Sequence, residues 1–166
     1  MPDATTTRRA LLGAGLLGAA GIVLFRGAGE PAEAAGQAFE ITRSPQDWRK
    51  ALGPQRYAVL REAVTERAGS SPLLNEHRKG LFACAGCNLP LFASDTKFES
   101  GTGWPSFFRA FPHAVVTRTD RTFGMSRTEV LCRRCGGHLG HLFDDGPKPT
   151  GLRYCMNGLA LVFRPA

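Results

Sequence analysis

The 166-residue chain has no apolar run near the ~20 residues of a membrane-spanning helix, which excludes a polytopic membrane protein. At 43% hydrophobic and only 21% charged, it lacks the composition of a disordered segment or a coiled coil. Its 20 Gly and 11 Pro are too few for collagen, and no repeat recurs apart from two short cysteine pairs. Acidic residues are scarce: 14 Asp plus Glu against 21 Lys plus Arg leave a net charge of +7. That balance permits nucleic acid, anionic membrane or acidic protein partners and selects none of them. What remains suits one compact domain with an appendage. The five cysteines, an odd number, carry the most informative spacing in the chain.

Residues 1–34 read as an address. Arg8-Arg9 stands directly before Ala10–Phe25, a moderately apolar stretch of 16 residues with four glycines. This is the twin-arginine export pattern, and the stretch is short for a stable anchor. Ala32-Glu33-Ala34 supplies a small-x-small site, predicting cleavage after Ala34, with an uncleaved anchor as the alternative. Either way the working domain is expected outside the cytoplasm, in a periplasmic or similar compartment. Arg8, Arg9 and Arg26 balance Asp3, Glu30 and Glu33, so the whole +7 lies on residues 35–166. An exported domain rarely meets nucleic acid, so the charge reads as a solvated face that aids solubility.

Residues 35–43 form a lead-in and residues 44–166 the working domain. Ser44-Pro45 gives an N-cap with Pro at the first helical position, predicting a short helix to about Leu52. Gly53-Pro54 interrupts it, and Gln55–Val64 continues with Tyr57, Leu60 and Val64 in helical rhythm. From residue 80 short apolar runs alternate with Gly, Pro and Asp turns: 81–83, 89–92, 114–116, 128–131 and 159–163. That texture predicts a mainly β (α+β) domain with antiparallel strands and short N-terminal helices.

Cys84-x-x-Cys87 and Cys132-x-x-Cys135 are two turn-borne pairs separated by 44 residues. Together they supply four thiolates for a closed, tetrahedral structural zinc. Disulfides are the alternative in an oxidising compartment, unless the metal is bound before a folded chain is exported. A tighter ligand set of Cys132, Cys135, His138 and His141 would crowd four ligands into ten residues.

Cys155 stands outside both pairs, flanked by Arg153 and Asn157. On a strand, residues two apart share a face, and a nearby guanidinium favours the reactive thiolate. A buried, inert thiol is the alternative. His138 and His141 lie upstream and suit acid–base help, although i and i+3 on an ideal strand face opposite ways. Trp104, in a Gly/Pro turn, either joins the core or walls a small apolar pocket.

Four segments together resemble the methionine sulfoxide reductase B family: the paired CxxC knuckles, Ser100–Phe107, His138–Pro147 and Arg153–Asn157. The resemblance spans about residues 44–164. It implies two antiparallel sheets with small N-terminal helices, and reduction of the R epimer of methionine sulfoxide, free or in oxidised proteins. It also implies Cys155 as nucleophile, His141 as acid, and His138 and Asn157 beside it. Trp104 would hold the substrate methyl group, Arg153 would favour the thiolate, and Cys84, Cys87, Cys132 and Cys135 would bind structural zinc. Many members carry a resolving cysteine where this chain has Thr102, which predicts reduction of Cys155 by an external thiol such as a thioredoxin-like protein. A monomer is the default expectation. The reading from a different class is a non-catalytic zinc-ribbon module that uses its basic face for anionic partners.

Overall fold

Ser44 starts the first helix as its residue type predicts: its Oγ accepts from the Asp47 backbone N–H at 3.1 Å and donates to the Asp47 carboxylate at 2.7 Å. The structure is a computed structural model that describes residues 38–166 and the strand residues Ala32–Glu33. Arg8-Arg9, the apolar stretch and the cleavage point after Ala34 lie outside the described residues. The helix, α1 (Pro45–Glu62), breaks its dihedrals at Gly53, with φ 71° and ψ 170°, so two short helical pieces meet at a kink. This matches the interruption expected at Gly53-Pro54.

Trp48, Tyr57, Val59 and Leu60 are the buried residues of α1. Val64, expected on that same face, is 48% exposed instead. The helix has ended by then: Ala63 adopts the left-handed conformation at φ 54°, which turns the chain away before residue 64.

The strands are β1 (Ala32–Glu33), β2 (Gly80–Cys84), β3 (Pro90–Ala93), β4 (Lys97–Phe98) and β5 (Ser106–Phe107). They continue with β6 (Val115–Asp120), β7 (Arg127–Cys132), β8 (His138–Phe143), β9 (Arg153–Met156) and β10 (Leu161–Pro165). They form a seven-stranded sheet in the order β1-β6-β7-β8-β9-β5-β4 and a three-stranded sheet in the order β10-β2-β3. Every ladder is antiparallel except the two-residue pairing of β1 with β6. The last strand starts at Leu161 rather than Leu159, because residues 158–160 form a 3-10 turn first.

The two sheets meet through aromatic side chains. Phe82 of β2 and Phe92 of β3 pack on Phe107 of β5 at 4.9 and 4.3 Å between ring centroids, and Phe92 touches Tyr154 of β9 at 5.6 Å. Phe82, Phe92 and Phe107 are fully buried, each stabilising the fold by ~1.5–3 kcal/mol through area removed from water. This core lies beneath β9 and so fixes the strand that carries Cys155.

One irregularity decides the site. Between β7 and β8, Val130 pairs with Gly140 but Leu131 pairs with His138, leaving Leu139 as an extra residue in a β-bulge. Gly140 takes φ 154°, and a Cβ there would fall 2.1 Å from the Cys155 carbonyl oxygen. Only glycine lets β8 approach β9 this closely.

Candidate active site and metal centre

The two CxxC turns share one backbone plan. In the first, the Cys84 N–H donates to Leu89 O at 2.9 Å and the Asn88 N–H to Cys84 O at 2.8 Å, with Asn88 at φ 65°. In the second, the Cys132 N–H donates to Gly137 O at 2.9 Å and the Gly136 N–H to Cys132 O at 2.8 Å, with Gly136 at φ 66°. The left-handed residue after each second cysteine turns both thiols inward. Asn and Gly are the residue types that tolerate it.

The nearest sulfurs lie across the two turns: Cys84 to Cys135 at 3.7 Å and Cys87 to Cys132 at 3.4 Å, with all four within 4.8 Å of one another. A tetrahedral ion with metal–sulfur bonds of ~2.3 Å has sulfur–sulfur edges of about 3.8 Å, so the four fit one. Hydrogen bonding with the Cys132 sulfur pushes the Cys84 thiol up and the Cys87 and Cys135 thiols down. A divalent cation is the natural partner for four thiolates held this close together. The sulfurs stand well beyond the ~2.05 Å of a disulfide. Neither His138 nor His141 belongs to the cluster, so the tighter ligand set falls away. Leu60 of α1 seals one side, since a Cβ on Gly137 would meet its Cδ2 at 2.9 Å. The Arg61 guanidinium donates to Cys135 O at 2.9 Å.

Cys155 pairs with His141 of β8 on one side and Ser106 of β5 on the other. It lines a cavity of about 130 Å³ together with Thr65, Trp104, Arg127, His141, Phe143 and Asn157. The sequence thus brings Cys155, His141, Trp104 and Asn157 to one cavity. His138 lies behind it, 5% exposed in its side chain.

The histidines correct one expectation. On an ideal strand they would face opposite ways, but the bulge at Leu139 removes one step of alternation. Their partners on β7, Leu131 and Glu129, are two apart, so both rings lie on the same side, with centroids 5.5 Å apart. Each is held by its own carboxylate: His138 Nδ1 to Glu129 at 2.7 Å and His141 Nε2 to Asp120 at 2.8 Å.

Burial alone would raise Glu129, but His138 and Arg118 outweigh it and hold the carboxyl below its ordinary value. The Thr122 backbone N–H and hydroxyl, with His141 and Arg127, hold Asp120 well below the carboxylate range. Burial lowers His141, and the Asp120 hydrogen bond only partly restores it, so its net position is below 6.5. With Asp120 ionised, Nε2 carries the imidazole proton and Nδ1 is the nitrogen that gains one.

Arg153 is buried, and its fork donates to both Asp145 oxygens at 2.8 Å. That pairing raises its already high pKa, with smaller contributions from its contact with Cys155. Its guanidinium also covers the Phe143 ring at 4.3 Å. Both amide groups of Asn157 are engaged: Oδ1 accepts from the Glu66 N–H at 3.0 Å and Nδ2 donates to Leu139 O at 3.2 Å. Asn157 therefore ties the bulge to the end of β9.

Sequence reasoning missed Glu66, Asp120, Arg127 and Glu129. Asp120, Arg127 and Glu129 leave a trace: strands flanking the histidine pair carry charges facing inward, and Asp120 pairs with Arg127 in register. Glu66 leaves none. It sits in an irregular segment, yet it is buried, and its carboxylate accepts from the N–H groups of Gly158 and Leu159 at 2.5 and 2.9 Å. Its carbonyl takes the Trp104 indole N–H at 3.1 Å, fixing the cavity wall.

Residues 52–165 match the SelR domain family. The chain is 54% identical over 127 residues to "Peptide methionine sulfoxide reductase MsrB" of Agrobacterium fabrum, covering 76% of this chain and 94% of that one. It is 50% identical to the protein of the same name from Leptospira interrogans, covering 76% and 97% of the two chains. A relative of that name from Thiobacillus denitrificans is 53% identical, covering 74% and 94%. With the knuckles, the bulged histidine strand and the cavity at Cys155 all within the matched span, the chain belongs to the methionine sulfoxide reductase B family.

Proposed function

We propose that this chain reduces the R epimer of methionine sulfoxide, in oxidised proteins or free, to methionine, with Cys155 as nucleophile. The observation that carries this reading is Cys155 at a cavity of about 130 Å³ whose lining includes Trp104, His141 and Phe143. Such a space suits a methylsulfinyl group between aromatic surfaces. The zinc-ribbon alternative gives no use to a thiol so placed.

A sulfoxide sulfur is a poor electrophile until its oxygen gains a proton, so thiolate and acid act together. The Cys155 sulfur attacks while the His141 imidazolium donates from Nδ1. The oxygen then leaves methionine for Cys155, which becomes a sulfenic acid. His138, propped by Glu129, keeps the His141 ring in place. Arg153 supports negative charge on the sulfur, and Trp104 walls the methyl group. Asn157 acts through the backbone it ties.

The four paired cysteines are gathered in the other cluster, so Cys155 has no thiol partner in its cavity. An external thiol, such as a thioredoxin-like protein, forms a mixed disulfide with release of water, and a second thiol frees Cys155. We assign the cluster to zinc, which would be held by Cys84, Cys87, Cys132 and Cys135 as a closed structural site. The Arg8-Arg9 pattern and the stretch after it support export by the twin-arginine route, to a periplasmic or similar compartment, with the metal bound beforehand.

The test supplies the purified, metal-loaded chain with blocked R and S methionine sulfoxides and a dithiol, alongside Cys155→Ser. Turnover of R alone, lost in the variant, is expected. Absence of turnover by folded, loaded protein would sink the reading.

A further inference from the structure

Three hydroxyls run in line from Cys155 to the backbone of the cavity wall. Thr102 Oγ1 lies 3.8 Å from the Cys155 sulfur, Ser100 Oγ is 2.8 Å from Thr102 Oγ1, and Ser106 Oγ is 2.7 Å from Ser100 Oγ. Ser106 then donates to the Trp104 carbonyl at 3.1 Å. Ser106 is 1% exposed, so its hydroxyl has little access to water.

Counting protons gives this chain a direction. Four contacts need four hydrogens. With Cys155 as a thiol, the three hydroxyls and the S–H supply them, every group donating toward Trp104. With Cys155 as a thiolate only three hydrogens remain, and the sulfur can only accept. One contact goes unfilled, and the shortest contacts are kept when Thr102 donates to sulfur, Ser100 to Thr102 and Ser106 to Ser100. The contact given up is the longest hydroxyl contact, at 3.1 Å to the Trp104 carbonyl. All three O–H dipoles then point at the anion and reinforce one another.

We propose that Thr102, fed by Ser100 and Ser106, is a hydrogen-bond donor to the Cys155 thiolate, so that the hydroxyl line reverses when the nucleophile ionises. This rests on Cys155 being the nucleophile. It gives Thr102 a positive role: a hydroxyl that holds the sulfur without being able to bond to it covalently. Ser100, Ser106 and Thr102 thereby join the groups that set the reactivity of the site. The reversal also loosens the Trp104 carbonyl from Ser106, linking ionisation of the sulfur to the wall of the cavity.

The test is the rate of Cys155 alkylation by iodoacetamide across pH in the full, metal-loaded chain, with the modified residue located by mass spectrometry. Thr102→Val keeps the side-chain shape but removes the donor, and is expected to slow alkylation at neutral pH about tenfold, the scale of a lost hydrogen bond to a charged group. The midpoint of its profile moves to higher pH. Thr102→Ser restores the wild-type profile, which a packing role for the threonine methyl would not allow. Ser106→Ala, cutting the far end, slows alkylation less, about threefold. An unchanged profile in Thr102→Val, or equal loss in Thr102→Ser, overturns the inference. If methionine sulfoxide turnover still depends on Cys155 in that case, the proposed function stands and only the hydroxyl line falls. Turnover that survives Cys155→Ser would overturn both.

Discussion

The chain keeps its cysteines in two places, and the two are built in opposite ways. The four paired cysteines sit in two turns with the same hydrogen bonds and the same left-handed residue after the second thiol, φ 65° and 66°. Each turn is made by a handful of consecutive residues, and the only distant step is bringing the turns together. Cys155 takes only Arg153 and Asn157 from its neighbours in sequence. Its cavity collects Thr65 from the segment after α1, Trp104 from the loop before β5, Arg127 from β7, and His141 and Phe143 from β8. A locally built site gathers its four sulfurs within 4.8 Å of one another, which leaves space for an ion and none for substrate. An assembled site leaves a cavity where those separate segments meet.

The largest effect that would sharpen this contrast is on stability. Cys132→Ser opens the metal site and leaves three sulfurs, two of them buried, without the fourth ligand, so we expect a loss on the order of 5 kcal/mol or more, with metal content falling in step. Cys155→Ser, which exchanges one partly exposed sulfur, should keep full metal content and change stability by about 1 kcal/mol or less. Metal analysis beside thermal unfolding of both variants checks this. Similar unfolding of the two would break the division between a structural and a reactive sulfur site.

The same division accounts for what was legible in the sequence. The knuckles could be read because a CxxC turn carries its geometry in its spacing. The helix cap at Ser44 and the kink at Gly53 were legible for the same local reason. The apolar runs at 81–83, 89–92, 114–116, 128–131 and 159–163 fell on β2, β3, β6, β7 and β10, with end errors where a 3-10 turn intervened at 158–160, whereas β4, β5, β8 and β9 lay outside those runs. The relation of His138 to His141 was not legible, because it depends on a bulge that exists only through pairing between β7 and β8. Val64 kept helical rhythm past the point where Ala63 had already ended the helix. Glu66 was invisible: its partners are the backbone N–H groups of residues 158 and 159, and backbone has no sequence signature.

The bulge offers the next test. Gly140→Ala would push a Cβ to 2.1 Å from the Cys155 carbonyl and to 3.0 Å from Met156 Cα, both backbone positions that cannot swing aside. The positive φ of 154° adds strain. We expect a loss of roughly 3 kcal/mol with the metal retained, because the clash falls on the β8–β9 ladder and not on the knuckles. Denaturant unfolding measures the first and metal content the second. Retained stability would mean that β8 can retreat from β9, and that the approach of His141 to Cys155 is looser than the register implies.

The smallest effect concerns protons in the assembled site. Asp120 raises the pKa of His141 through its hydrogen bond, while burial, Arg127 and His138 lower it, leaving a net position below 6.5. Asp120→Asn keeps the shape and removes the charge, so His141 moves lower still. A histidine that must be protonated to act is competent below its pKa and loses competence as pH rises through it. The falling limb of the turnover profile should therefore move to lower pH in the variant. Moving that limb down by about one pH unit costs about tenfold in rate at a fixed pH above it and little below it. The deficit should be clear at neutral pH and shrink as pH falls. Asp120 also receives Arg127 at 2.6 Å, so a second route exists, in which the freed guanidinium disturbs the cavity at every pH. The two differ in shape: loss of the His141 proton tilts the profile, whereas displacement of Arg127 lowers it uniformly. A uniform drop would remove His141 from the acid's role and leave Asp120 as an anchor for Arg127.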